Sequence, residues 1–85
     1  MSTEYDVTDT LDVKGLSCPM PVVKTKQSVD DLGAGEVLRV LATDRGSMSD
    51  IAGWADSSGS VALLDQREVE DGGETVYQHD VQRVE

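Results

Sequence analysis

Both prolines of this 85-residue chain stand at positions 19 and 21, and they decide where its first helix can begin. Proline carries no backbone N–H and a fixed φ, so a helix accepts it only in the first turn. Pro19 fits the first helical position, and Pro21 still lies within that turn. Pro21 also biases Met20 away from the helical region, so the start is expected to be offset or irregular. Downstream, Val22, Thr25, Val29 and Leu32 recur at helical spacing and form one buried stripe, with Lys24, Lys26, Gln27 and Asp31 off it. Gly33 and Gly35 bracket the stop. Upstream, Tyr5, Val7, Leu11 and Val13 alternate with polar residues, the period of a half-buried strand. Asp9 interrupts the apolar side, so the firm strand is Thr10 to Lys14. Gly15 permits a sharp exit, and strand and helix are joined through Gly15-Leu16-Ser17-Cys18.

The rest of the chain follows the same two periods. Glu36 to Ala42 is apolar on both sides except at Arg39, which suits a central strand. Thr43-Asp44-Arg45-Gly46 is a polar loop. Ser47 with Asp50 three residues on resembles a capping box, so a second helix is expected over about Met48 to Asp56. Met48, Ile51, Ala52 and Ala55 form its inner stripe, with Trp54 at the border as a packing residue. Ser60 to Arg67 reads as a third strand, and Asp71-Gly72-Gly73-Glu74 as a hairpin turn. Thr75 to Val84 is the last strand. Its apolar residues are thin (Val76, Tyr77, Val81 and Val84), which suggests an edge.

The order is therefore β-α-β-α-β-β. There are too few apolar residues for two covered faces, so both helices must cover one face of a four-stranded mixed sheet. The expected class is α+β, a two-layer α/β sandwich. Residues 1–9 are read as an N-terminal extension, partly strand or disordered, and residues 10–85 as a single domain. A chain this short buries only about 60–65% of its unfolded surface.

Seventeen acids against seven bases give a net charge of −10, which argues against stable nucleic-acid binding. The acids are scattered over nearly the whole chain. That favours a proteome-wide habit such as life in high salt over a patch for a basic partner. From Val13 to Val29, however, there are no acids and three bases, Lys14, Lys24 and Lys26. No apolar run is long enough for a membrane span, and the acidic N-terminus does not resemble a signal peptide. One unpaired cysteine suits a reducing cytosol, so a cytoplasmic location is expected.

Cys18 is the leading candidate for chemistry. A sulfur just ahead of a helix meets unpaired N–H groups and the positive end of the macrodipole, which favour thiolate. A thiol of pKa about 8.5 is only roughly 3% ionised at pH 7, and a depression to about 6.5 would ionise roughly three quarters of it. The alternative for a lone cysteine is a small buried hydrophobe. Gly15, Pro19 and Pro21 shape the turn, and Lys24 and Lys26 are candidates to support the thiolate or receive an anionic partner. Asp44 and Arg45 could share a rim with the Cys18 loop, because loops at the carboxyl ends of strands gather there; plain turn chemistry is the competing reading. His79 could in principle act as a base for Cys18, but an exposed strand residue is favoured. One Cys and one His cannot complete a structural zinc site, and neither metal nor cofactor is expected.

Leu11-Asp12-Val13-Lys14-Gly15-Leu16-Ser17-Cys18-Pro19-Met20-Pro21-Val22 resembles the signature of the TusA/SirA family of small sulfur-carrier proteins. Gly35 to Asp44 and Asp50-Ile51 are also similar to that family, so the likeness spans about residues 10 to 84. The resemblance implies the same β-α-β-α-β-β sandwich. It implies a carrier-type sulfurtransferase that accepts sulfane sulfur on Cys18 as a persulfide and passes it to an acceptor protein. Its donors would be cysteine desulfurases or rhodaneses, and its uses tRNA thiolation, molybdenum-cofactor synthesis or related sulfur metabolism. No membrane partner is implied. The alternative is a redox or regulatory thiol module forming reversible mixed disulfides without sulfur transfer.

Overall fold

The computed structural model describes residues 5–17 and 19–85. Its elements are β1 (Asp9–Asp12), α1 (Met20–Val29), β2 (Val37–Ala42), α2 (Ser47–Ser57), β3 (Val61–Asp71) and β4 (Glu74–Arg83). The chain order expected from periodicity is the one observed, with two helices against a four-stranded mixed sheet. The sheet runs β1-β2-β4-β3, with β1 parallel to β2 and β4 antiparallel to both of its neighbours. Gly72 and Gly73 both have positive φ, 61° and 85°, and form the two-residue hairpin between β3 and β4. Two successive positive φ values match the twist of a hairpin and are cheap only for residues such as glycine.

β4 is thus a central strand, where its thin apolar content suggested an edge. The reason lies in two adjacent rows across the sheet. Leu11, Val40, His79 and Gln66 stand opposite one another in the first row, on the helix-covered face. Thr10, Arg39, Asp80 and Asp65 make the next row, on the other face. His79 and Asp80 are buried, 0% and 1% exposed, in places where a central strand would ordinarily carry apolar side chains. Each is fully partnered, which is the condition for burying polar groups. A register shift between Leu63 and Asp65 makes this possible. One extra residue in a strand exchanges the faces of everything beyond it, so Asp65 turns away from the helices and Gln66 turns towards them.

On the helix-free face, the Arg39 guanidinium donates to Asp80 through Nε (2.9 Å to Oδ1) and Nη2 (3.1 Å to Oδ2), and the Tyr5 hydroxyl donates to Oδ2 at 2.6 Å. Burial alone would raise the Asp80 pKa. The bonds from Arg39 and Tyr5 outweigh it and hold the carboxylate below its usual range. Burial first, then the bond to Asp80 and its charge, push Tyr5 up to about 12. Residues 5–8 are further tied to the sheet by Thr8, whose N–H donates to the Val37 carbonyl at 2.8 Å.

The core lies between sheet and helices. It contains Val13, Val29, Leu32, Leu38, Val40, Ala42, Ile51, Ala55, Val61 and Val81, with Trp54 packed at its margin as expected. α1 buries Pro21, Thr25 and Val29, while Val22 of the expected stripe is only half-buried. α2 begins at Ser47 with Gly46 as its N-cap and no side-chain cap, so the expected capping box does not form. Ser47 instead turns inward to His79.

Arg83, at the end of β4, closes α1. Its Nη1 donates to the carbonyls of Val29, Asp30 and Leu32 at 3.3, 3.1 and 2.6 Å. Carbonyls at a helix end lack the full set of helical partners, although the Val29 oxygen also accepts the Leu32 N–H at 3.0 Å, and a cation is favourable at the negative end of the helix. Arg83→Gln should lower the unfolding free energy by about 1–2 kcal/mol, read as a lower urea midpoint with an unchanged m-value. An unchanged midpoint would show that water replaces the guanidinium at no cost.

Candidate functional site

The expected site is built at the carboxyl ends of β1 and β2. The two strands are parallel neighbours, so the loops leaving them emerge side by side. The Val13 N–H donates to the Leu41 carbonyl at 2.8 Å, and the chains then diverge. The Leu16 N–H folds back to the Val13 carbonyl at 3.2 Å, with Gly15 at φ +86°. A positive φ at the third residue of such a turn is the type II geometry, which strongly favours glycine. Gly15 then donates its N–H to Thr43 Oγ1 at 2.9 Å, joining the loop after β1 to the loop after β2.

Cys18 itself lies outside the described residues. On its two sides, the Met20 N–H donates to the Ser17 carbonyl at 2.9 Å, and the Val23 N–H to the Pro19 carbonyl at 3.1 Å. Pro19 is the N-cap, with φ −95° and ψ 11°, so α1 starts at Met20, one residue later than expected. Pro21, in the first turn, is buried, and its carbonyl accepts the Thr25 hydroxyl at 2.7 Å. Leu16, Met20 and Val23 are 37%, 38% and 37% exposed, large apolar side chains left at the surface around the motif. Lys24 and Lys26 are exposed on α1. Lys14 faces Asp12 across 3.9 Å, a surface pair worth little.

Asp44 and Arg45 occupy the second loop, next to Thr43. The Asp44 carboxylate accepts the Gly46 N–H at 3.1 Å and its carbonyl accepts the Ser47 N–H at 2.9 Å. The Arg45 carbonyl accepts the Met48 N–H at 3.3 Å, and its side chain is exposed. These bonds set the turn that starts α2.

His79 is not the exposed residue the sequence suggested. It points into the space between β4 and α2. Gln66 Nε2 donates to the Met48 carbonyl at 2.8 Å and to His79 Nδ1 at 3.0 Å, while His79 Nε2 lies 3.0 Å from Ser47 Oγ. Because Gln66 must present its N–H₂ to the Met48 carbonyl, Nδ1 can only accept, and the imidazole proton sits on Nε2 facing Ser47. The ring is therefore held neutral. Burial lowers its pKa to about 4, against a smaller opposing pull from Asp80. Both ring nitrogens are thus engaged within the fold, and the residue is 0% exposed. Strand alternation places His79 on the same face as Val81, but the partners that let it be buried there come from β3 and α2.

Comparison with known proteins converges on one family. Residues 9–78 match the family model described as sulfurtransferase TusA. The chain belongs to the TusA family. It is 61% identical over 83 residues, 98% of each chain, to a Halobacterium salinarum protein described as "Putative sulfur carrier protein". It is 37% identical to the sulfur carrier protein TusA of Pseudomonas putida, over 88% of this chain and 90% of that one. The crystal structure of a SirA-like protein from Desulfitobacterium hafniense superposes with a TM-score of 0.64 at 27% identity, covering 86% of this chain and 95% of that one. The TusA-family chain is in general terms a sulfur carrier, with a donor and an acceptor as its partners. Among the described residues, no helix is long and apolar enough to cross a membrane.

Proposed function

We propose that Cys18 carries sulfane sulfur as a persulfide between two proteins, a donor of the cysteine desulfurase or rhodanese type and an acceptor in a cytoplasmic sulfur relay. The observation that carries this reading is the Cys-Pro-x-Pro motif at the strand–helix junction of a TusA-family chain, with one cysteine in all 85 residues. In the first step the Cys18 thiolate attacks the outer sulfur of the donor's persulfide. A new S–S bond forms on Cys18, the donor's S–S bond breaks, and the donor leaves as a thiolate. In the second step a nucleophile of the acceptor takes the outer sulfur, and Cys18 leaves as a thiolate again. The sulfur moves at its own oxidation level, so neither step needs an oxidant or reductant. A second thiol in the chain would attack the persulfide and release sulfide with a disulfide; this chain has none.

The surroundings fit the role. Ser17, Pro19 and Met20 are exposed, and the surface nearby offers Leu16, Met20 and Val23 as apolar contacts with Lys24 and Lys26 as cations. Gly15, Pro19 and Pro21 shape the turn, and Asp44 and Arg45 sit in the adjoining loop for partner contact.

The test is intact-mass analysis after incubation with a persulfidated desulfurase, followed by addition of an acceptor thiol. Gain of one sulfur atom on Cys18, lost on addition of the acceptor, is the expected result. Glutathione adducts without a transferable sulfur would assign the thiol to redox regulation instead.

A further inference from the structure

We infer that Thr43 is a positioning residue for the Cys18 segment, acting through the Gly15 peptide; the inference rests on the carrier reading of Cys18. Beyond Val13 the loop leaves the β1–β2 ladder, and its peptide groups lose their strand partners. The turn at Gly15 aims its N–H sideways, and Thr43 Oγ1 accepts it at 2.9 Å from the neighbouring loop. Three residues later comes Cys18, and at Met20 the chain is held again, by the bond from its N–H to the Ser17 carbonyl. The cysteine thus lies between one anchor on its own helix start and one on another element.

The second anchor is itself stiff. Thr43 follows directly on the buried end of β2 at Ala42, and the next residue, Asp44, is bonded to the start of α2 through Gly46 and Ser47. Ser47 is held in turn by His79 of β4. A β-branched side chain has few χ1 choices, so threonine presents its oxygen in a narrower range than serine would. Thr43 and Gly15 act through the backbone. Their effect is on how firmly the segment between Gly15 and Met20 is held. Without the tether the loop samples other positions, and the thiol's pKa drifts towards that of a free cysteine.

The experiment compares wild type with Thr43→Val, which removes the acceptor at nearly constant shape, and Thr43→Ser, which keeps it. Iodoacetamide alkylation of Cys18 is followed from pH 5 to 10 on the full chain, with persulfide loading measured in parallel. The Gly15 amide is exposed and water competes for it, so a modest change is expected. Thr43→Val should shift the rate–pH profile to higher pH and slow alkylation at pH 7 by about 3- to 10-fold, the equilibrium weight of one hydrogen bond. Thr43→Ser should return to within about twofold of wild type, and all three should have the same far-ultraviolet circular dichroism. Superposable profiles for Thr43→Val and wild type would overturn the inference, as would a Thr43→Ser profile matching Thr43→Val. Wild type that takes up no sulfur while Thr43→Val still shifts the profile would defeat the carrier reading and leave the positioning intact.

Discussion

Cys18→Ser should carry no sulfur at all. Serine is nearly isosteric with cysteine, so the segment around it keeps its hydrogen bonds at Gly15 and Met20. Its hydroxyl is ionised to a negligible extent at neutral pH and forms no persulfide. Incubated with a persulfidated donor, the wild-type chain should gain one sulfur atom and the variant none, a complete loss beside unchanged circular dichroism and urea midpoint. A sulfur adduct persisting on the variant would remove Cys18 from the reaction, since the chain has no other cysteine. A variant that failed to fold would instead show that position 18 is structural. Backbone amide exchange at Gly15 and Met20 separates the two outcomes.

Mild acid should destabilise the fold through His79. The folded imidazole titrates at about 4, against 6.5 for an ordinary histidine. Between those values the unfolded chain binds more protons than the folded one, so stability rises with pH across the window. It is fully present above pH 6.5 and is lost as pH falls towards 4. The full difference is about 3 kcal/mol, of which about 2 kcal/mol goes before pH 5, above the range of ordinary carboxylates. Asp80, held below the usual carboxylate range, adds a further loss only at lower pH. Urea titrations at constant ionic strength from pH 7 to 5 should show this slope, and His79→Gln should flatten it. Nuclear magnetic resonance of the imidazole protons gives a reading without any mutant. A ring titrating near 6.5 in the folded protein would mean that the contacts from Gln66 and Ser47 do not hold it neutral.

The site was legible to differing depths. The motif was visible because its constraints are local: two prolines, a glycine and a cysteine within seven residues. Two prolines in one turn leave a helix little choice of start, and the error there was a single residue, at Pro19. His79 was misjudged because a lone histidine in an acidic strand looks solvated unless its partners are known. Gln66 reaches it only through the register shift after Leu63, and Ser47 only because α2 packs across β4. The same reasoning from apolar content placed β4 at an edge. Polar residues that are paired in the folded state count as core, and pairing is invisible along the chain.

Element order, the helix and strand periods, the Gly72-Gly73 hairpin and the single thiol were determined by the sequence alone. Each depends on residues within one turn or one strand of each other, where φ preferences and side-chain spacing act directly. The strand order β1-β2-β4-β3 was decided by the tertiary structure, as were the burial of His79 and Asp80 and the bond from Gly15 to Thr43. The Tyr5–Asp80 bond spans 75 positions and the Arg39–Asp80 pair 41. Such partners meet only after the sheet has closed, because a hydrogen bond between distant residues has no local precursor. Its strength comes from the burial that packing supplies.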